Sequence, residues 1–295
     1  MSSFRRRPAE ASDATAVTEL VRALDVAFLG ASEYTQAELE EEWEDAEPWV
    51  VHAGAELVGY GTVELRGDAG RSDGYVHPRH TGRGVGRYLV DELEAELRAR
   101  GAARVQNATL LVDGGAHSLL RARGYDEVRR FSQMRIDLEG APAPPVWPDG
   151  VAVSGFDVHD AREFHAAYEA AFADHWGHHR TPFAKWRRAN VERPDFSPHL
   201  WTVVRAGDRI VAGTICLPER NGVAWVSRLF TVQDWRRRGL GEALLHDAFG
   251  KFWRDGRRAV GLGVDAESTT GANRLYERAG MHVSFGAVVF EKELR

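Results

Sequence analysis

"RRRGLGEALL", residues 236–245, sets three arginines before two close glycines and runs straight into a stretch with helical patterning. A strand that enters a glycine-rich turn and then a helix points several backbone N–H groups at one place, where the helix dipole is positive. Such a nest holds a phosphate or pyrophosphate. Gly239 and Gly241 let the backbone approach it closely, and Arg236, Arg237 and Arg238 add charge. A simple tight turn followed by a solvated arginine face has the same local sequence, so the wider context has to choose between the two.

That context repeats. "TGRGVGRYLV", residues 81–90, has nearly the same pattern: Gly84 and Gly86 match Gly239 and Gly241 at an offset of 155, and Leu119 and Gly124 match Leu275 and Gly280 at 156. A fixed offset with one residue of slippage indicates a duplicated domain. Between the copies, "LEGAPAPPVWPDGV" (138–151) carries four prolines, which exclude helix and central strand and predict a linker. The expected organisation is a first domain over 1–140, a linker over 141–150 and a second domain over 151–295.

Each half reads as a mixed α/β fold. In the second, "DAREFHAAYEAAF" (160–172) puts Phe164, Tyr168 and Phe172 on one helical face, and "LWTVVRAGDRIVAGTICL" (200–217) reads as two strands about a Gly-Asp turn. A third strand follows in "AWVSRLFTV" (224–232), then the loop, a helix to about Arg254, a strand "RAVGLGVD" (258–265), a helix ending at Gly280 as a C-cap, and closing strands to the C-terminus. The first half repeats this order, with "ELVGYGTVEL" (56–65) as central strand and a short strand "SDGYVHP" (72–78) before its loop.

The 295 residues, 43% of them hydrophobic, suffice for two ordinary cores, and a net charge of −6 gives no general attraction for nucleic acid or anionic membrane. No apolar segment follows the basic N-terminus and no run of eighteen apolar residues occurs, so export and membrane spanning are not expected; the expected compartment is cytoplasmic. Cys216 is the one cysteine and can form no internal disulfide. A dinucleotide fold is disfavoured because Leu244 stands where G-x-G-x-x-G needs its third glycine. His-x-x-His-His at 175–179, without HExxH or cysteines, is a weak metal signal, and no metal is expected.

"RRRGLG" resembles the R/Q-x-x-G-x-G/A pyrophosphate loop of the GCN5-related N-acetyltransferases (GNAT), and "VDAESTTGANRLYERAGM" (264–281) resembles the strand–helix segment that follows it in them, at the family's order and spacing. The resemblance covers both halves, and the tandem arrangement is similar to that of mycothiol synthases and related tandem acetyltransferases. It implies acetyl-CoA as co-substrate, bound between two splayed strands. Backbone around Leu229, Phe230 and Thr231 would meet the pantetheine and thioester, the loop Arg236, Arg237, Arg238, Gly239, Leu240 and Gly241 the pyrophosphate, and Asn273 the pantetheine arm. Tyr276 falls where the family keeps a general acid; a helix tyrosine that only packs is the competing reading.

No base is visible on the strand. His175, in "ADHWGHHR" (173–180) with Asp174, His178 and His179, and Glu267 are the two candidates, against a loop whose histidines only cap and solvate. The first half departs from the pattern: Thr81 replaces the leading Arg, His117 replaces Asn273, and Leu120 replaces Tyr276. Leucine cannot protonate a thiolate, so this half is expected to be catalytically silent, with a possible second CoA site at Val76, Gly82, Arg83, Gly84, Val85 and Gly86. The acidic run "ELEEEWEDAE" (38–47) reads as a solvated helix face, with attraction of a cationic substrate as the alternative. The expected activity is acetyl transfer to the amine of a small molecule by the second half. A cysteinyl pseudo-disaccharide is the narrower acceptor, and an idle acyl-CoA-binding protein is the contrasting class.

Overall fold

The computed structural model describes residues 4–294 apart from 177, 221, 269 and 270; parts of the quoted stretches at Gly177, Thr269 and Thr270 lie outside the described residues. In chain order the elements are β1 (Phe4–Pro8), α1 (Ala14–Leu29), α2 (Gln36–Asp45), β2 (Glu47–Ala53), β3 (Glu56–Arg66), β4 (Ala69–Val76), α3 (Val85–Ala99), β5 (Arg104–Leu110), α4 (Gly114–Ala122) and β6 (Asp126–Asp137). There follow β7 (Ala152–Gly155), α5 (Ala161–Phe172), α6 (Phe183–Asn190), β8 (Thr202–Ala206), β9 (Arg209–Arg220), β10 (Val223–Thr231), α7 (Leu240–Arg254), β11 (Ala259–Asp265), α8 (Ala272–Arg278) and β12 (His282–Glu293).

The chain forms two compact units, Met1–Ser132 with Asp265–Glu267 and Phe285–Arg295, and Gln133–Val264 with Ser268–Ser284. Neither is contiguous. β6 leaves the first unit at Ser132 and continues in the second, while β12 passes the other way after Ser284. The first unit has strand order β1-β2-β3-β4-β5-β12, and the second has β6-β11-β10-β9-β8-β7. In each, one parallel pair, β4 with β5 and β10 with β11, sits among antiparallel neighbours. The strands expected to close the second half therefore complete the first.

The cores explain the placement. In the second unit α7 buries Leu240, Leu244, Leu245, Ala248, Phe249 and Phe252, a helical stripe, against sheet residues such as Val203, Val211 and Val260, and Met134 and Leu138 of the β6 segment join them. In the first, α3 lays Val85, Leu89, Leu93 and Leu97 on Val58, Val63 and Val105, with Val288 and Phe290 from β12 fully buried beside them. A second layer packs α1 and Leu39 of α2 against Val50 and Tyr60. Each such Val, Leu, Met or Phe side chain contributes about 1.5–3 kcal/mol through burial.

Local signals hold well at the turns. Gly207 (φ 56) opens the two-residue turn between β8 and β9, and Gly280 (φ 89) terminates α8. α2 starts with a capping box in which the Glu38 backbone N–H donates to Thr35 and the Thr35 N–H donates to the Glu38 carboxylate. Apart from Leu39 and half-buried Trp43 and Glu38, this acidic helix faces solvent. Two expectations change. β4 reaches back to Ala69 through an unbroken ladder with β3, so it is not short. The proline-rich stretch is not a free spacer either, because Trp147 and Val151 pack on the second unit's core. Among the described residues no helix is long and apolar enough to cross a membrane.

Candidate active site

β10 and β11 pair in parallel at Ala224↔Val260 and Trp225↔Gly261 only, after which β10 runs on to Thr231 and β11 to Asp265. Beyond Trp225 the edge of β10 on the β11 side has no strand partner among the described residues. A row of backbone donors and acceptors there suits an extended ligand lying between the strands. On its other edge β10 pairs with β9 through a register shift between Val226 and Arg228, a bulge at Ser227. A bulge bends its strand and re-aims the backbone. Leu229 is half-buried, while the Phe230 ring packs into the core beside Phe164, with centroids 5.0 Å apart, so Phe230 offers the groove its backbone.

The loop after β10 is shaped by two left-handed residues, Arg237 (φ 65) and Gly239 (φ 87), the latter being the N-cap of α7. Among the described residues Arg237 is the one non-glycine with positive φ, and such strain clusters at ligand sites. Gly239 has no side chain with which to cap α7, and nothing lies within 4 Å of where one would begin, so the backbone at the start of the helix is open to a ligand at that point. Leu240 is buried and can contribute only its backbone. These features fit a pyrophosphate.

The three arginines divide their tasks. Arg236 donates to both carboxylate oxygens of Asp174 (2.8 and 3.0 Å) and to the Ala171 carbonyl (2.8 Å), so its guanidinium ties the loop to the end of α5. This hydrogen-bonded pairing holds the Asp174 carboxyl down at about 2. Arg238 lies over the Trp235 ring and donates to the Asp234 carbonyl. Arg237 is exposed and reaches toward Gly271, the N-cap of α8. Gly241 has a different reason from close phosphate approach: a Cβ there would sit 2.8 Å from Leu275 of α8. It lets two helices meet.

On α8, Asn273 is half-buried in the first turn and Tyr276 is 9% exposed. Burial alone raises the Tyr276 phenol to about 12, and no hydrogen bond fixes its hydroxyl among the described residues. It is a protonated, uncommitted donor at neutral pH. Cys216 is buried, its thiol pushed up to about 12, and so not a reactive group.

The first unit keeps the frame and carries other side chains at the matching positions. β4 and β5 pair from Ala69↔Arg104 to Ser72↔Asn107 and then separate, Gly82 (φ 74) and Gly84 (φ 90) shape the loop, and a Cβ on Gly86 would approach Leu119 at 3.1 Å. Gly82 occupies the left-handed position that Arg237 holds in the second unit. Val85 is buried, Val76 is half-buried and Arg83 is exposed. The β3–β4 register is unbroken, with no bulge. Leu120 is 2% exposed at the tyrosine position, and the His117 ring bonds the Leu110 carbonyl (3.0 Å) and packs on Phe290.

The base candidates separate. Glu267 is ion-paired with Arg129 (3.3 Å), which also binds Asp265, so its carboxylate is committed to a cation. His175 is exposed, its ring against Phe172. The structure adds a group that sequence reasoning missed: the buried Glu169 carboxylate of α5 lies 3.2 Å from His178 Nε2 and 3.5 Å from His165 Nε2, and accepts from the Thr181 N–H. The available signal was an ionisable pair at i,i+4 on a face shared with Phe172. Among the described residues no group of three or more His, Cys, Asp or Glu side chains could hold a metal ion.

Known proteins resemble this chain in sequence and in fold. The sequence model of the Acetyltransferase (GNAT) family matches residues 17–125 and 161–281. A mycothiol acetyltransferase of Clavibacter michiganensis is 33% identical over 225 residues, 74% of this chain and 71% of the relative, and one from Streptomyces scabiei is 29% identical over 243 residues, 78% and 75%. A GCN5-related N-acetyltransferase from Sphaerobacter thermophilus superposes with a TM-score of 0.85 at 32% identity, covering 99% of this chain and 96% of that one. A tandem GNAT protein from the clavulanic acid biosynthesis pathway shares the fold (TM-score 0.78, 15% identity, 99% of both chains). With two splayed strand pairs, two glycine-shaped loops and a family match in each half, the chain belongs to the GNAT acetyltransferase family as a tandem member.

Proposed function

We propose that the chain transfers an acetyl group from acetyl-CoA to the amine of a small molecule, with the chemistry confined to the second unit. The observation that carries this reading is the asymmetry at one helix position: a buried, hydrogen-bond-free phenol at Tyr276 against a buried Leu120. The co-substrate supplies an activated thioester. The β10 backbone from Leu229 to Thr231 orients its arm, the N–H groups at the start of α7 take the pyrophosphate, and Asn273 bonds the arm. Tyr276 gives its proton to the departing sulfur, and the bulge at Ser227 turns a backbone N–H toward the acyl oxygen. The first unit serves as a binding module whose Gly82–Gly86 loop holds CoA without turnover.

A second reading narrows the acceptor. Curated relatives at about 30% identity carry the name mycothiol acetyltransferase, which favours a cysteinyl pseudo-disaccharide amine. Acetyl-CoA consumption should be followed by mass spectrometry of the acetylated product, since that acceptor carries its own thiol, across a panel of this substrate, aminoglycosides and simple amines. Turnover of one amine supports the proposal. Tight CoA binding without turnover of any amine would make the chain an idle acyl-CoA-binding protein.

A further inference from the structure

Glu169 is buried beside a half-buried His178, and burying a carboxylate is costly unless its partners are well placed. The hydrogen bonds around it assign the ring protons. His165 Nε2 lies 2.9 Å from the Thr181 carbonyl, which can only accept, so His165 carries its proton there. Glu169 Oε1 receives the Thr181 N–H, and Oε2 faces His178 Nε2 at 3.2 Å. An ionised carboxylate surrounded by donors accepts from His178 Nε2–H, which leaves the lone pair of a neutral His178 ring on Nδ1.

A row of ring contacts links His178 to β10. From His178 the rings run to Phe172 (6.4 Å), then Tyr168 (4.9 Å), then Phe230 of β10 (6.1 Å). The Tyr168 hydroxyl accepts from Arg228 Nε at 3.4 Å, one residue beyond the bulge. Asp174, close by in sequence, is tied to Arg236 of the loop after β10. An imidazole fixed by a carboxylate at one nitrogen and free at the other is the arrangement of an oriented general base.

We propose that His178 is the base that takes the proton of the attacking amine, and that Glu169 is its positioning residue. This rests on the acetyl-transfer reading above. The amine nitrogen bonds to the acyl carbon, the carbon–sulfur bond breaks with its electron pair going to sulfur, the nitrogen's proton moves to His178 Nδ1, and Tyr276 protonates the sulfur. Water then returns a proton from His178 to Tyr276, so nothing is gained or lost over a cycle. Among the described residues, Glu169 of α5 faces the His178 ring, His165 of α5 lies on the other side of that carboxylate, and the His178 backbone N–H donates to the His175 carbonyl.

The test uses the full chain and the best amine of the panel. His178→Ala should lower kcat about 10²-fold or more with acetyl-CoA affinity unchanged, and added imidazole should restore part of the rate. Glu169→Gln should lower kcat/KM and move its acidic limb to lower pH, because an amide stabilises imidazolium less than a carboxylate does. A His178→Ala enzyme with the wild-type rate and pH profile would overturn the proposal. Nitrogen-15 NMR of the histidine rings gives a readout that needs no turnover: His178 should be the Nε2–H tautomer at pH 8. The Nδ1–H tautomer would sink the assignment even if the variants fail to fold, whereas failure of every amine to react would count against the acetyl-transfer reading alone.

Discussion

Tyr276 shows how one residue acquires a role from its surroundings. A phenol on a short helix can simply pack, and this one does contact the core. What sets it apart is burial without a hydrogen bond among the described residues, which raises its pKa to about 12 and keeps it protonated from pH 6 to pH 9. Tyr276→Phe should therefore lower kcat by about 10²- to 10⁴-fold by the same factor from pH 6 to pH 9, with acetyl-CoA affinity preserved. Steady-state rates across that range check it, and a variant that merely shifts a pH limb would count against the acid role. Gly241 teaches the opposite lesson. Its place in the motif suggested close phosphate approach, but the side chain it makes room for is Leu275.

At the level of elements, the loop after β10 depends on one tie. The Arg236 hydrogen bonds lower the Asp174 carboxyl to about 2, below its unfolded value near 3.8. A depressed folded pKa contributes stability above the unfolded value, and that contribution disappears as pH falls from about 4 through about 2. Because the Asp174 side chain is 55% exposed, solvent screening limits the tie to about 1 kcal/mol or less. Thermal melts should show Asp174→Asn slightly less stable than wild type at pH 6, with the gap closing towards pH 2. A gap that widens on acidification would reverse the assignment. The two splayed pairs make a sharper comparison. β10 has a bulge and β4 has none, and the His117 ring of α4 is turned onto the Leu110 carbonyl of β5. Placing a phenol in the first unit is thus insufficient: Leu120→Tyr in a Tyr276→Phe background should leave acetyl transfer at the single-variant level, provided circular dichroism shows that the overpacked site still folds.

On the scale of the whole chain, the two units are interdependent through their strands. A fragment of residues 1–140 would lack Val288, Phe290 and Leu294, all buried in its core. At about 1.5–3 kcal/mol for each buried side chain, the loss is comparable with the entire stability of a domain, about 5–15 kcal/mol. Such a fragment should be unfolded or aggregated at 25 °C, as read by proton NMR dispersion, while the full chain melts cooperatively. A well-dispersed spectrum from the fragment would show that β12 is dispensable. The duplication, the loop and helix positions, the C-cap at Gly280 and the place of Tyr276 were legible in the sequence because each depends on neighbours within a few residues: backbone φ, helical periodicity and capping. Which unit each final strand joins, the bulge at Ser227, the packing reason for Gly241 and the burial of Glu169 beside His178 were decided by the tertiary structure. Strands from both copies carry similar alternating patterns, so partner and register follow from the core that buries them. A carboxylate's chemistry, likewise, depends on groups that only folding brings within hydrogen-bond distance.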